Sequence, residues 1–214
     1  MSVGLGSENH ASSFEAAPAW SETEPGRPLP FWLGLRDDLV AHVSPDQRRG
    51  GWRGWTREGV GVVVCSAGFH LMVLHRLSHV LVHRAGVVGR VAAAILFWWI
   101  RHFYGCSMAP TARLHGGVIL PHPQGIVIGA DAQVGPRAWI FQNVTIGGAP
   151  GKVGMPRVGI DARIYAGAVL TGPIHVGDLV MIGANAVVHR DVPARTLVRT
   201  ASVECVPLPP LYSS

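Results

Sequence analysis

Cysteine is scarce. The chain of 214 residues has three, Cys65, Cys106 and Cys205, an odd number with no CxxC spacing. That argues against a disulfide scaffold or a zinc ribbon and for a reducing compartment, here read as the cytoplasm. No charged n-region leads into an apolar core at the N-terminus, so no secretory signal is read. Long unbroken apolar runs are missing as well. Residues 60–77 are interrupted by His70, His75 and Arg76, and residues 85–100 carry Arg90. The second run is also short of the ~20 residues a membrane span needs. Both are expected to be buried helices, with no membrane partner. The net charge of +5 suits an anionic ligand. No basic run or aromatic–basic interleaving singles out nucleic acid, and a phosphate-bearing small molecule is the milder reading.

What the chain does have is a beat of six. Met108, Leu114 and Leu120 are followed by Ile128, Val134, Ile140 and Ile146, then by Val158, Ile164, Leu170, Val176, Ile182 and Val188. A small or apolar residue falls four places after many of them, as at Ala132, Ala138, Ala162, Ala168 and Ala186. Neither a helix (period 3.6) nor an amphipathic strand (period 2) has this spacing. A parallel β-helix does, because each short strand buries one aliphatic residue in a central column. One step slips, the eight residues from Leu120 to Ile128. The twelve from Ile146 to Val158 read as two hexads without an aliphatic midpoint.

Ahead of the repeat the pattern is helical. Residues 1–30, rich in Ser, Glu, Ala and Pro, read as a flexible arm. Residues 31–104 read as a helical domain. A short amphipathic helix starts at Phe31, a second spans 57–83, Gly86 and Gly89 interrupt, and a third runs from about Arg90 to His102. Residues 105–192 hold the repeat, and 193–214 form an extended tail. His75, His79 and His83, four apart, either present metal ligands on one face or pack against a neighbouring helix or subunit. Phe97, Trp98, Trp99 and Phe103 are expected in the core between the helices and the first coil.

A stacked solenoid is a packing device, so chemistry is sought where the period breaks. The first break, LPHPQG at 120–125, inserts two residues and sets His122 between Pro121 and Pro123, a stiff mount for a base. The second, GGAPGKVGMPR at 147–157, replaces a strand with a glycine-rich excursion carrying Lys152. The two are expected to project from similar sides of the prism.

These segments resemble a known family. GFHLMVLHRLSH (68–79), the stretch from Ile100 through GCSMAP and PHPQG to Gly135, VTIGGAPGKVG (144–154) and the hexads to HRDVP are similar to the serine acetyltransferases of the hexapeptide-repeat acyltransferases. The likeness covers roughly residues 35–200. It implies an α+β chain, an N-terminal α-helical cap followed by a left-handed β-helix, assembled as trimers that often pair into hexamers. It implies acetyl-CoA as acyl donor, no metal, and His122 as the base that deprotonates an acceptor hydroxyl. An imidazole titrating near 6.5 suits that task. The Gly147–Gly148 turn would offer N–H donors to the oxyanion. Acetyl-CoA would run past Gly148, Ala166, Gly167 and Ala184 in a groove between subunits, with Lys152, Arg195 or Arg199 meeting its phosphates.

Four departures bear on the acceptor. Pro121 stands where the family has Asp before its histidine, and Ser107 where an acid pairs with that histidine. Met155 and Gly154 replace the histidine and arginine that hold the amino-acid carboxylate, and TASVECV replaces the closing GVPA segment. Asp46, in SPDQ, is the one cap acid retained. A zwitterion needs opposite charges at fixed separation, so an acceptor other than serine is expected. The chain ends in Ser214 rather than the Ile with which such enzymes dock a sulfhydrylase, and that complex is not expected. The readings carried forward are an O-acetyltransferase on serine or a specialised hydroxylated metabolite, a sugar or amine acyltransferase of the same fold, and a non-catalytic trimeric scaffold.

Overall fold

The computed structural model describes residues 31–43 and 59–200. Four helices come first: α1 (Phe31–His42), α2 (Gly59–Cys65), α3 (Ala67–Arg84) and α4 (Gly86–Phe103). The helix expected over 57–83 is divided at Ser66, where α2 and α3 meet at 76°. Ser66 is the reason. Its backbone is extended and its hydroxyl caps α3 by accepting the Phe69 N–H. Gly86, at φ +58, starts α4, and Gly89 lies inside it, where a β-carbon would meet the Leu81 carbonyl of α3. The glycines expected to interrupt thus set the approach of two helices.

Thirteen short strands then wind into a three-sided prism, all pairings parallel. The first face stacks β1 (Ser107–Met108), β3 (Val127–Ile128), β6 (Thr145–Gly147), β9 (Val169–Thr171) and β12 (Val187–Val188). The second stacks β2 (Arg113–Leu114), β4 (Gln133–Val134), β7 (Arg157–Val158) and β10 (His175–Val176). The third stacks β5 (Trp139–Ile140), β8 (Arg163–Ile164), β11 (Met181–Ile182) and β13 (Leu197–Val198), so the prism continues into the segment expected as tail. Each hexad aliphatic from Met108 to Val188 is buried in the central column, worth about 1.5–3 kcal/mol apiece. The coil is the left-handed β-helix.

Register explains both breaks. Val127 pairs with Thr145, and Val169 with Val187, one coil of eighteen residues in each case. Ser107 pairs with Val127, twenty residues on, which contains the two-residue bulge at His122. Thr145 pairs with Val169, twenty-four on. The segment from Ile146 to Val158 is therefore one hexad step plus a six-residue excursion, not two hexads. No aliphatic marks its midpoint because the midpoint leaves the prism.

The helices dock on the first coil through polar contacts. The His75 Nε2–H donates to the Ala109 carbonyl (3.1 Å), His79 Nδ1–H to Pro110 (2.8 Å) and His83 Nδ1–H to its own helix at His79 (2.7 Å). His75 and its neighbour Arg76 are buried. The aromatic group at the end of α4 is the reverse case. Trp98, Trp99 and Phe103 were expected in the core but are largely exposed, because α4 turns Gly89, Ala93 and Ile100 inward instead.

Candidate functional site

The first face has two edges, and the candidate residues divide between them. Its leading edge is the corner reached from the third face. Successive coils are joined there by N–H···O bonds from Asn143 to Gln124 (2.8 Å), Gly167 to Gln142 (3.0 Å) and Asn185 to Ala166 (2.9 Å). His122 heads this column, with Gln142, Ala166 and Ala184 on the coils beyond it. Along the column the side chains shrink from Gln142 to the methyl groups of Ala166 and Ala184.

The mount of His122 is stiff on both sides. Its ring is exposed, whereas Pro123 is buried and Pro121 half-buried. The Gln124 N–H donates to the His122 carbonyl (2.8 Å) and the Cys106 thiol to that of Pro123 (3.3 Å). Burial pushes the Cys106 thiol up, which keeps it a neutral donor. Beneath the bulge, α3 presents Gly68, where any β-carbon would collide with the Leu120 carbonyl. Gly125, at φ +64 against Asn143, returns the chain to register.

The trailing edge carries the glycine excursion. Gly147 ends β6 and accepts the Gly172 N–H (3.0 Å), while the Thr171 hydroxyl donates to the Gly148 carbonyl (2.9 Å). A turn closed by Lys152 N–H to Ala149 (3.1 Å) exposes Lys152. Met155 folds back, and its Sδ and Cε lie 3.3–3.5 Å from where β-carbons on Gly129 and Gly148 would stand. Glycine at both positions makes room for the thioether. Beside the excursion opens a cleft of about 870 Å³, with Lys152, Arg157, His175, Asp131 and Asp191 among its lining.

The two breaks therefore do not project from the same side. They flank one face, five residues apart across it from Gly125 to Ala130, roughly 16 Å at about 3.3 Å per residue. Ala166, Gly167 and Ala184 share His122's edge, while Gly147, Gly148, Lys152 and Met155 share the other. Ser107 lies on the first face in β1, half-buried. Arg199 is exposed at the far end of the prism, along with Arg195 (φ +58). Asp46 lies outside the described residues. Sequence reasoning missed Gln142, whose side-chain oxygen is buried without a hydrogen-bond partner among the described residues. Its register with Ala166 and Ala184 was the available signal.

Comparison with known proteins fits this architecture. No family model matches the chain. It is 32% identical over 175 residues to a serine acetyltransferase of Bacillus pumilus, covering 78% of this chain and 74% of that one. It is 38% identical over 141 residues to one of Synechococcus elongatus and 40% to one of Mycobacterium tuberculosis. Of these two relatives' lengths the match spans 56% and 59%. Among solved structures, a serine acetyltransferase of Neisseria gonorrhoeae in complex with serine superposes with a TM-score of 0.69 at 28% identity, over 82% of this chain and 68% of that one. A coil of hexapeptide repeats behind a helical cap defines the class. Within it, the chain belongs to the serine acetyltransferase family.

Proposed function

We propose that the chain is an acetyl-CoA-dependent O-acetyltransferase whose active site forms between protomers. The observation that carries this is the division of the site. His122 and the glycine excursion sit on opposite edges of one face, too far apart for a base and an oxyanion donor to serve the same reacting atoms. A three-fold arrangement of prisms sets the leading edge of one against the trailing edge of the next, which unites them. In this reading His122 takes the proton from the acceptor hydroxyl. The oxygen attacks the acetyl carbonyl, the backbone at Gly147–Gly148 stabilises the oxyanion, the C–S bond breaks, and the imidazolium returns its proton to the departing CoA sulfur. The small residues Ala166 and Ala184 let the CoA arm lie along this edge, and Lys152 or Arg199 meets its phosphates.

The acceptor we infer is a hydroxylated metabolite lacking serine's charge pair. Ser107, Pro121 and Met155 occupy the positions where the family resemblance expects charged groups, and Met155 seals the glycine platform with an apolar side chain. Serine itself is the second reading, favoured by the names of the relatives. Thiol release from acetyl-CoA over a panel of amino acid, sugar and small alcohol acceptors separates the two. On the productive acceptor, His122→Ala loses about 10²–10⁴-fold in kcat, with an unchanged unfolding midpoint because the ring is exposed. Unchanged turnover in that variant overturns the assignment, and no turnover on any acceptor points to a scaffold.

A further inference from the structure

The outer side of α4 has no cover among the described residues. Only Gly89, Ala93 and Ile100 of its eighteen residues are buried. Opposite them, Val88, Val91, Ile95 and Trp98 recur at three- and four-residue spacing, joined by Val87, Trp99 and Phe103. Val88 is 80% exposed, Phe103 65% and Trp98 52%. Trp99 stacks on Phe103 and Trp98 on His102, which sets two ring pairs on the same exposed side of the helix. A soluble helix ordinarily turns such a stripe inward.

The surrounding charge is of one sign. From Gly59 to Ala130 the sequence has five arginines, seven histidines and no Asp or Glu. Arg90 and Arg101, about three turns apart, line one border of the apolar arc, and Arg84 precedes the helix. All three are exposed.

We propose that α4 lies flat on an anionic lipid surface, with its valine, isoleucine and tryptophan side chains in the acyl boundary and Arg90 and Arg101 at the headgroups. An apolar arc with aromatic residues, bordered by arginine and free of acids, is what an interfacial helix requires. A second copy would bring the same arginines toward one another with no carboxylate to offset them. The sequence argument against a membrane span, a short run broken by Arg90, does not apply to a helix lying parallel to the surface. The opposite face stays on α3, so docking requires no refolding.

The test is co-sedimentation of the full chain with phosphatidylcholine vesicles and with mixed phosphatidylcholine–phosphatidylglycerol vesicles, with molar mass followed by light scattering. The wild type pellets with the anionic vesicles and is released as salt rises. Val88→Glu/Ile95→Glu and, separately, Arg90→Glu/Arg101→Glu each weaken binding about tenfold or more at unchanged molar mass. The arginine pair is fully on the surface and keeps the test decisive if the first variant folds poorly. Two results overturn the proposal: a wild type that stays in the supernatant with both vesicle types, or a Val88→Glu/Ile95→Glu variant of reduced molar mass, which would make the stripe a subunit interface.

Discussion

Asp38 of α1 and Arg76 of α3 meet in a buried two-point ion pair, with Arg76 Nη2 2.9 Å from Asp38 Oδ1 and Nε bonded to Oδ2. Arg76 also donates to the Leu114 and His115 carbonyls of the first coil, and the Gly117 N–H donates to Asp38 (2.9 Å). Two helices and the prism are thus tied at one point. Removing one partner strands the other charge in the interior, so Arg76→Leu is expected to cost about 3–5 kcal/mol in urea unfolding. The double variant Asp38→Leu/Arg76→Leu loses less than the sum of the single changes. Strict additivity would show that the pair is not coupled.

Acid sensitivity follows from the helix–prism junction. Burial, with smaller contributions from His79 and Arg76, pushes His75 down to about 3, and burial also lowers His79 and His115. With the folded value below the unfolded one, the unfolded chain binds more protons as pH falls. Stability is therefore fully present above about 6.5 and declines from there toward 3. Denaturation midpoints measured between pH 7.5 and 4.5 fall on acidification, and His75→Gln flattens the slope. A slope identical in that variant assigns the effect to other groups.

Gly68 never meets the acceptor, yet its lack of a side chain sets the height of the His122 bulge. Gly68→Ala forces α3 away from the Leu120 carbonyl, at an expected cost of about 1–3 kcal/mol. It should lower kcat on the productive acceptor more than it raises KM for acetyl-CoA. Wild-type kinetics would free the bulge from its helical support.

The small residues of the leading edge give a prediction that separates binding from stability. Ala166→Leu adds bulk on that edge without touching the core, so the unfolding midpoint stays within experimental error while KM for acetyl-CoA rises by about tenfold or more. An unchanged KM removes Ala166 from the donor's path.

Acceptor choice is tested by restoring charge. Pro121→Asp with Met155→His supplies an acid beside His122 and a cation on the neighbouring edge, and turnover on serine is expected to rise. No gain places the selectivity elsewhere in the pocket.

Much of the fold was legible because a β-helix writes its geometry in one dimension. Outside the two breaks, the buried aliphatic residues from Met108 to Val188 recur every six positions, and the prism only stacks what the sequence spaces. The bulge at His122 was legible for the same reason, as a defect in a regular series. Contacts across long separations were not. Nothing local tells that Arg76 leaves the row of basic residues to meet Asp38, or that Met155 folds onto Gly129. The aromatic residues of α4 misled for a different reason. Apolar composition reports a preference for leaving water, not which neighbour supplies the shelter, and Trp98 and Phe103 find little among the described residues. The separation of His122 from the glycine excursion needed the three-sided geometry, since position along the chain does not say which corner a break occupies.

The ladder closes cleanly behind the excursion: Thr145 finds Val169 and Gly147 finds Thr171 as though the six extra residues were not there. Each coil is held by the one before and the one after, so a corner can be lengthened, shortened or rewritten without disturbing any rung. Substrate choice in such a scaffold is a detachable trait, open to exchange by grafting one hairpin-sized tip onto an unchanged spindle.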